Sequence, residues 1–132
     1  MSPRRPRVLL VEDSRFQARL IVELAEHALD IEWADRLSAA LARLAAGGVD
    51  AVLLDLTLPD SWGIDTLRRL AAAHPAVPVI LLSGGEGGTL AGEAARLGAA
   101  GFLSKDGVDG EKITGAVCAA MAGYRTGSRG AG

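Results

Sequence analysis

Short apolar runs alternate with amphipathic segments along the chain. Continuous apolar runs bounded by turn residues are typical of strands that are buried on both faces. Between and after these runs, apolar residues recur three and four positions apart, which is the spacing of one buried helix face. We therefore expect strands and helices to alternate throughout the chain. The runs predict five strands, at 7–11, 31–34, 50–55, 79–82 and 101–104.

Capping and helix-breaking residues indicate where the helices begin and end. Ser14, with Gln17 three positions later, predicts a capping box at the start of the first helix. Asp35 is placed to cap the second helix, and Gly47 and Gly48 are placed to end it. The last three helices are predicted at 64–74, about 90–97 and 110–122.

This order of elements favours an α/β fold with a doubly wound, five-stranded parallel sheet and helices on both faces. In the flavodoxin-like version of this fold the strands lie in the order 2-1-3-4-5. Right-handed crossovers then put the first and last helices on one face and the middle three on the other. We expect one domain at 7–123, a disordered N-terminus at 1–6 and a flexible tail or linker at 124–132. The glycine-rich loop at 84–88 is expected to be mobile.

Polar side chains stand at the carboxyl ends of four predicted strands. Glu12 and Asp13 follow the first strand, and Asp55 ends the third. Ser83 follows the fourth strand, and Lys105 follows the fifth. Open α/β sheets bind their ligands at this edge. Because clustered carboxylates repel one another and raise one another's pKa unless a cation lies among them, the sequence predicts a cation site here.

Mg²⁺ is the cofactor that this set of oxygen ligands predicts, because it is a hard ion that binds few protein carboxylates and keeps several waters. Asp13 and Asp55 are the expected direct ligands. The backbone carbonyl of Thr57, just past Asp55, is a candidate third protein ligand, and Glu12 is expected to act through a water molecule.

A lysine and a hydroxyl beside such a site suit phosphoryl transfer. Lys105 carries a mobile point charge that can bind one phosphate oxygen, and Ser83 can donate a hydrogen bond to another. Asp55 is then the nucleophile that accepts the phosphoryl group, while the metal and Lys105 offset its negative charge.

Composition excludes several other classes of protein. The chain has 132 residues, of which 49% are hydrophobic and 23% charged, and this suits one compact domain. A net charge of -2 gives no electrostatic reason to expect a nucleic-acid partner. Its one cysteine, Cys118, excludes an internal disulfide and is expected to be a small core residue. No apolar run approaches a membrane span of roughly 18 residues, so we expect a cytoplasmic protein with no membrane partner.

The same segments resemble the receiver domain of bacterial response regulators, of the chemotaxis-regulator type. The resemblance is carried by 11–14, 54–60 and 100–105, and it covers about 7–122. It implies a two-component signalling switch in which Asp55 accepts phosphate from a phosphohistidine on a histidine kinase or phosphotransfer protein. The domain would catalyse its own phosphorylation and dephosphorylation, and it would not be an enzyme acting on a separate substrate.

The resemblance also implies how the signal leaves the site. Ser83 would move toward the phosphorylated Asp55, and Phe102 would turn inward as the second member of a switch pair. This change would reshape the surface formed by the fourth helix, the fifth strand and the fifth helix. That surface would control a downstream protein or an attached output domain, and it is the surface through which a homodimer would form.

Two departures from the family pattern leave alternatives open. Asp106 stands where the family usually has proline, so a cis peptide after Lys105 is not expected. Gly84 and further glycines follow the switch hydroxyl and loosen that loop. A receiver fold used as an unphosphorylated docking module is therefore a second hypothesis. A third is a phosphatase of the haloacid dehalogenase type. Against it, Thr57 occupies the position where that family has its second aspartate, and the chain is short for a cap domain.

Overall fold

Strands and helices alternate in the structure, a computed structural model that describes residues 4–84 and 87–131, with side chains at 4–84 and 92–123. In chain order the elements are β1 (Arg7–Val11), α1 (Arg15–Ala25), β2 (Asp30–Ala34), α2 (Leu37–Ala45), β3 (Ala51–Asp55), β4 (Thr57–Leu58), β5 (Ser61–Trp62), α3 (Ile64–Ala73), β6 (Val79–Ser83), α4 (Gly87–Arg96), β7 (Gly101–Ser104) and α5 (Gly110–Ala131).

The main sheet has the strand order β2-β1-β3-β6-β7, and its strands pair in parallel throughout. This is the predicted order 2-1-3-4-5, so the prediction of a doubly wound parallel sheet is confirmed. The two additional strands, β4 and β5, form a small antiparallel hairpin after β3. The sequence did not predict this hairpin, because two-residue strands leave no periodic pattern to recognise.

The central strand β3 is buried on both faces. Leu53 and Leu54 are each 0% exposed, and they belong to two different apolar clusters. Leu54 packs in the cluster that includes Ala40 of α2, Leu67 of α3 and Ala94 of α4. Leu53 packs in the cluster formed with α1 and α5. The predicted division of the helices between the two faces is therefore confirmed.

The start of α2 differs from the predicted one. Arg36 occupies the cap position, but its side chain makes no capping hydrogen bond. Asp60, from the loop after β4, instead accepts hydrogen bonds from the backbone N–H of Leu37 at 2.8 Å and of Ser38 at 2.9 Å. Asp35, the predicted cap, pairs with Arg36 at 3.2 Å. A helix N-terminus is stabilised by a carboxylate from any segment of the chain. The prediction of an aspartate cap was therefore right, but the capping residue is Asp60 and not Asp35.

Part of the N-terminal segment that was predicted to be disordered makes contacts with the domain. Arg5 donates a hydrogen bond to the backbone carbonyl of Glu26 at 2.6 Å and pairs with Asp30 at 3.0 Å. Pro6 accepts a hydrogen bond from the N–H of Asp30 at 2.9 Å. Residues 1–3 lie outside the described part of the chain, and the domain boundaries stay a prediction.

Helix α5 continues beyond its predicted end at residue 122 and reaches Ala131. Its inward face carries Ile113 and Val117, both 0% exposed. Cys118, the next residue, is exposed, so its predicted place in the core was wrong. A helix turns by about 100° per residue, and the step from Val117 to Cys118 therefore leaves the buried face.

Helix α4 begins at Gly87 and ends at Arg96, earlier at both ends than predicted. Residues 85 and 86, within the loop that was predicted to be mobile, lie outside the described residues. No helix in the described ranges is long and apolar enough to cross a membrane.

Candidate functional site

The ends of β1 and β3 bring two carboxylates together. Val11 is in register with Leu54 on the neighbouring strand. Since parallel strands continue in step, Glu12 and Asp55 come next to each other at the carboxyl edge of the sheet. The strand residues that precede them, at 8–11 and 51–54, are all buried, as in strands at the centre of a parallel sheet.

The ends of β6 and β7 extend this edge. Asp55 is in register with Leu82, so Ser83 follows one step further along β6. Ser83 is 4% exposed and in register with Ser104, after which β7 ends and Lys105 begins the next loop. The N–H of Lys105 donates a hydrogen bond to the carbonyl of Ser83 at 2.7 Å. The loop that carries Lys105 is therefore tied to the strand that carries Ser83.

Three carboxylates form an acidic cluster at this edge. Ligand oxygens of Glu12, Asp13 and Asp55 lie within 4.8 Å of one another. Glu12 is 1% exposed, the Asp55 side chain is 13% exposed, and Asp13 is exposed to solvent. Hard divalent cations bind sets of carboxylate, carbonyl and water oxygens, so this donor set fits Mg²⁺.

Lys105 lies against the cluster. Its Nζ donates hydrogen bonds to Glu12 Oε1 at 2.8 Å and to Gln17 Oε1 at 2.7 Å, and it is 3.3 Å from Asp55 Oδ2. Burial alone would lower the pKa of Lys105. The hydrogen bond to Glu12 and the charge of Asp55 outweigh burial and raise that pKa above its ordinary value. Lys105 is therefore an ammonium ion that donates hydrogen bonds to Glu12 and Gln17 and forms an ion pair with Asp55.

Glu12 is held from several directions. Its Oε2 accepts a hydrogen bond from the N–H of Ser14 at 3.2 Å, and its backbone carbonyl accepts one from Trp33 Nε1 at 2.6 Å. Burial raises the pKa of Glu12 from 4.5 to about 7, although the hydrogen bonds from Lys105 and Ser14 act in the opposite direction. Burial therefore favours the protonated form of this carboxyl group, whereas the Lys105 ammonium favours the ionised form.

Half of the predicted capping box is present at the start of α1. Ser14 Oγ accepts a hydrogen bond from the backbone N–H of Gln17 at 3.2 Å, as predicted. The reciprocal bond is absent, because the N–H of Ser14 donates to Glu12 and the Gln17 side chain accepts from Lys105. The sequence therefore placed Gln17 correctly on the helix but missed its contact with the site.

The remaining predicted site residues surround this cluster. The N–H of Thr57 lies 3.4 Å from Asp55 Oδ1, so the segment that carries its backbone carbonyl borders the carboxylate. Phe102 is half-buried and packs against the apolar cluster that includes Ala94 of α4. No cis peptide occurs in the described part of the chain, so the bond between Lys105 and Asp106 is trans.

A family model for the response regulator receiver domain matches residues 8–117. The chain belongs to the response regulator receiver family. Its relatives are two-component signalling regulators, and receiver domains generally bind Mg²⁺ in an acidic pocket and interact with histidine kinases and output domains. In this chain Glu12, Asp13 and Asp55 form an acidic cluster at the carboxyl edge of the sheet.

Two relatives show the breadth of this family. A protein-glutamate methylesterase/protein-glutamine glutaminase from Treponema denticola is 33% identical over 104 residues, which are 75% of this chain and 28% of that protein. The swarming motility regulation protein RssB of Serratia marcescens is 36% identical over 77 residues, which are 58% of this chain and 35% of that protein. The receiver thus spans about a third of the length of these relatives.

Solved structures match nearly the whole fold. The signal receiver domain of an HD domain-containing protein from Pseudomonas fluorescens Pf-5 superposes with a TM-score of 0.82 and 26% identity, covering 98% of this chain and 96% of that one. A CheY-like receiver domain protein from Methanospirillum hungatei JF-1 gives a TM-score of 0.79 at 18% identity, covering 93% and 98% of the two chains, and supports the fold alone.

Proposed function

We propose that this receiver is a phosphorylation-dependent switch in which Asp55 accepts a phosphoryl group from a histidine kinase or a histidine phosphotransfer protein. The observation that carries the proposal is the 3.3 Å contact between Lys105 Nζ and Asp55 Oδ2 inside the carboxylate cluster. An ammonium ion at this distance can neutralise charge that arrives on Asp55. A carboxylate in a partly open position can also be reached by a donor from solution.

Asp13, Asp55 and the backbone carbonyl of Thr57 would hold Mg²⁺ directly, with Glu12 acting through a water molecule. These groups offer only oxygen ligands, as Mg²⁺ requires, and leave room for water and phosphate oxygens. When bound, the ion would offset negative charge on the transferred phosphoryl group.

The protein residues carry out the transfer itself. An Asp55 carboxylate oxygen attacks the phosphorus of a phosphohistidine, the new O–P bond forms, and the P–N bond breaks. The partner's imidazole leaves with the electron pair and takes a proton from solvent. Lys105 then donates its hydrogen bond to a phosphoryl oxygen, and Ser83 donates one to another. Attack of water on the same phosphorus releases inorganic phosphate and restores Asp55.

The phosphorylated state would be read on the surface formed by α4, β7 and α5. Ser83 would move toward the phosphoryl group, and Phe102 would turn further into the protein. Phe102 is half-buried against the cluster that includes Ala94 of α4, which supports this. A change in the burial of Phe102 would alter the packing of that helix. The surface would control a downstream protein or an output domain, and it is also the proposed surface for a homodimer.

The test is phosphorylation by acetyl phosphate and Mg²⁺, followed by intact mass. We expect the wild type and an Asp65→Asn control, altered at an exposed aspartate of α3, to gain one phosphate. We expect Asp55→Asn to gain none, and chelation of Mg²⁺ to prevent the gain in the wild type. An unchanged wild-type mass, or equal labelling of Asp55→Asn, would contradict the proposal and favour the unphosphorylated docking module. Steady turnover of a phosphomonoester that depends on Asp55 would instead favour the dehalogenase-type phosphatase.

A further inference from the structure

We propose that Gln17 is a positioning residue for phosphoryl transfer, which holds the Lys105 ammonium beside Asp55. The inference rests on the proposed function and adds to it a residue on α1. Gln17 Oε1 accepts a hydrogen bond from Lys105 Nζ at 2.7 Å, the shortest of the ammonium's three contacts with side-chain oxygens of the described residues.

The ammonium needs such an anchor because lysine is flexible. Its four-carbon stem can place Nζ in many positions, and three equivalent donors can rotate among acceptors. In this site Glu12 takes one donor at 2.8 Å and Gln17 takes a second. With two donors held, Nζ lies 3.3 Å from Asp55 Oδ2, at the distance of an ion pair. When a phosphoryl group forms on Asp55, the third donor can bind one of its oxygens while Glu12 and Gln17 keep theirs.

The contact is separate from the structure of α1. Ser14 Oγ accepts from the backbone N–H of Gln17, so the helix cap does not depend on the Gln17 side chain. Gln17 itself is exposed, and no apolar packing depends on its amide. A substitution of the side chain can therefore remove the hydrogen bond to Lys105 while leaving the start of the helix intact.

Gln17 also suits this position because its amide is neutral. It fixes the ammonium without adding a fourth negative charge beside Glu12, Asp13 and Asp55. Removing the amide should therefore change the orientation of Lys105 and leave the charge of the acidic cluster as it was. This separates a positioning effect, which slows the reaction, from an electrostatic effect, which would change the affinity for Mg²⁺.

The experiment measures the rate of phosphorylation by acetyl phosphate at saturating Mg²⁺ for the wild type and Gln17→Met, which has similar length but no amide oxygen. We expect the rate to fall by about three- to tenfold, because one of the two anchors of a charged donor is lost. Gln17→Glu, which keeps an oxygen at this position, should recover part of that loss. Glu23→Gln, at an exposed position of α1, should match the wild type.

Two further measurements separate positioning from other causes. Affinity for Mg²⁺, measured by calorimetry without phosphodonor, should be the same for the wild type and Gln17→Met. In a Lys105→Arg background, whose donors have a different geometry, the effect of Gln17→Met should shrink to within about twofold.

An unchanged rate in Gln17→Met would overturn the inference while the proposed function stands. The inference would also be overturned if Gln17→Met slowed phosphorylation as much in the Lys105→Arg background as in the wild type. A fall in Mg²⁺ affinity in parallel with the rate would overturn it as well. If the wild type gains no phosphate at all, the proposed function fails and the inference fails with it.

Discussion

At the scale of single residues, the electrostatics of the site depend on one buried carboxyl group. Glu12 is 1% exposed, and burial raises its pKa from 4.5 to about 7. The folded state therefore favours protonated Glu12 more than the unfolded state does. The stability contributed by this preference is fully present below pH 4.5 and is lost as the pH rises through about 7. Lys105 limits that loss, because its ammonium compensates the ionised form.

Replacing Lys105 by methionine should therefore destabilise the protein in a pH-dependent way. At pH 8 the variant must either bury an unpaired carboxylate or keep Glu12 protonated at a cost, and we expect a loss of about 1–3 kcal/mol in unfolding free energy. At pH 5 Glu12 is protonated in both proteins, so the loss should be smaller. Urea unfolding followed by circular dichroism at both pH values measures the difference.

Lys112→Met is the matched control, because the Lys112 ammonium donates to a neutral acceptor, the backbone carbonyl of Gly107, and lies on the surface. The unfolding free energy of Lys112→Met should differ little from that of the wild type at either pH. Equal losses for Lys105→Met at pH 5 and pH 8 would show that the ammonium acts through packing instead of charge.

The meeting of three candidate site residues could be predicted from the sequence, because each ends or directly follows a strand of one parallel sheet. Glu12, Asp55 and Lys105 meet for this reason. Gln17 and Trp33 could not be found in the same way. Their contacts depend on how α1 and β2 pack beside the sheet, and the sequence contains no local signal for that packing.

At the scale of elements, α2 depends on a residue from a distant loop. Asp60 caps its first turn and belongs to the segment that follows Asp55, so the loop beside the acidic cluster is fastened to a helix. Burial alone would raise the pKa of Asp60, but the hydrogen bonds from the N–H groups of Ser38 and Leu37 lower it below 3.8. The cap therefore stabilises the fold above pH 3.8, and this contribution is lost as the pH falls through the lowered value.

Asp60→Ala should reduce the unfolding free energy by about 0.5–2 kcal/mol near neutral pH, since it removes two capping hydrogen bonds. The difference from the wild type should shrink as the pH falls below 3.8, because protonated Asp60 is a weaker acceptor. Amide hydrogen exchange at Leu37 and Ser38 should accelerate in the variant. Asp35→Ala, at the cap predicted from sequence, is the control, and a larger effect there would restore the original prediction.

Helix faces were more predictable than helix ends. The apolar spacing of α1, α2, α3 and α5 identified the sides that pack on the sheet, because burial selects residues along the whole element. Ends depend on a few capping contacts, and these can come from any part of the chain, as Asp60 illustrates. The same limitation applies to the end of α5 at Ala131 and to the hairpin of β4 and β5.

At the scale of the whole molecule, the sheet separates two apolar cores. Leu53 and Leu54 are adjacent in β3, and each is 0% exposed in a different core. Such double burial is typical of central parallel strands. The fold could be predicted because this pattern of continuous apolar strands between amphipathic helices permits few other arrangements.

Leu53→Ala and Leu54→Ala should each lower the unfolding free energy by about 2–5 kcal/mol, because each leaves a cavity in a closely packed core. Denaturant unfolding of the two variants provides the comparison. Leu20→Ala, at a position that is 43% exposed on α1, should lower the unfolding free energy much less. If only one of the two β3 variants were destabilised, the sheet would have one covered face instead of two.

The strand order also determines how this chain must fold. Even Ile80 and Gly101, a pair on neighbouring strands, are separated along the chain by the whole of α4. Strand β1 cannot complete its pairing with β3 until a second strand and two helices have been made. The entropic cost of closing such long loops precedes the gain from the hydrogen bonds between the strands, so we expect the sheet to pair more slowly than the helices form. A nascent chain leaving the ribosome therefore keeps one side of β1 unpaired until its middle third, which contains β3, has emerged.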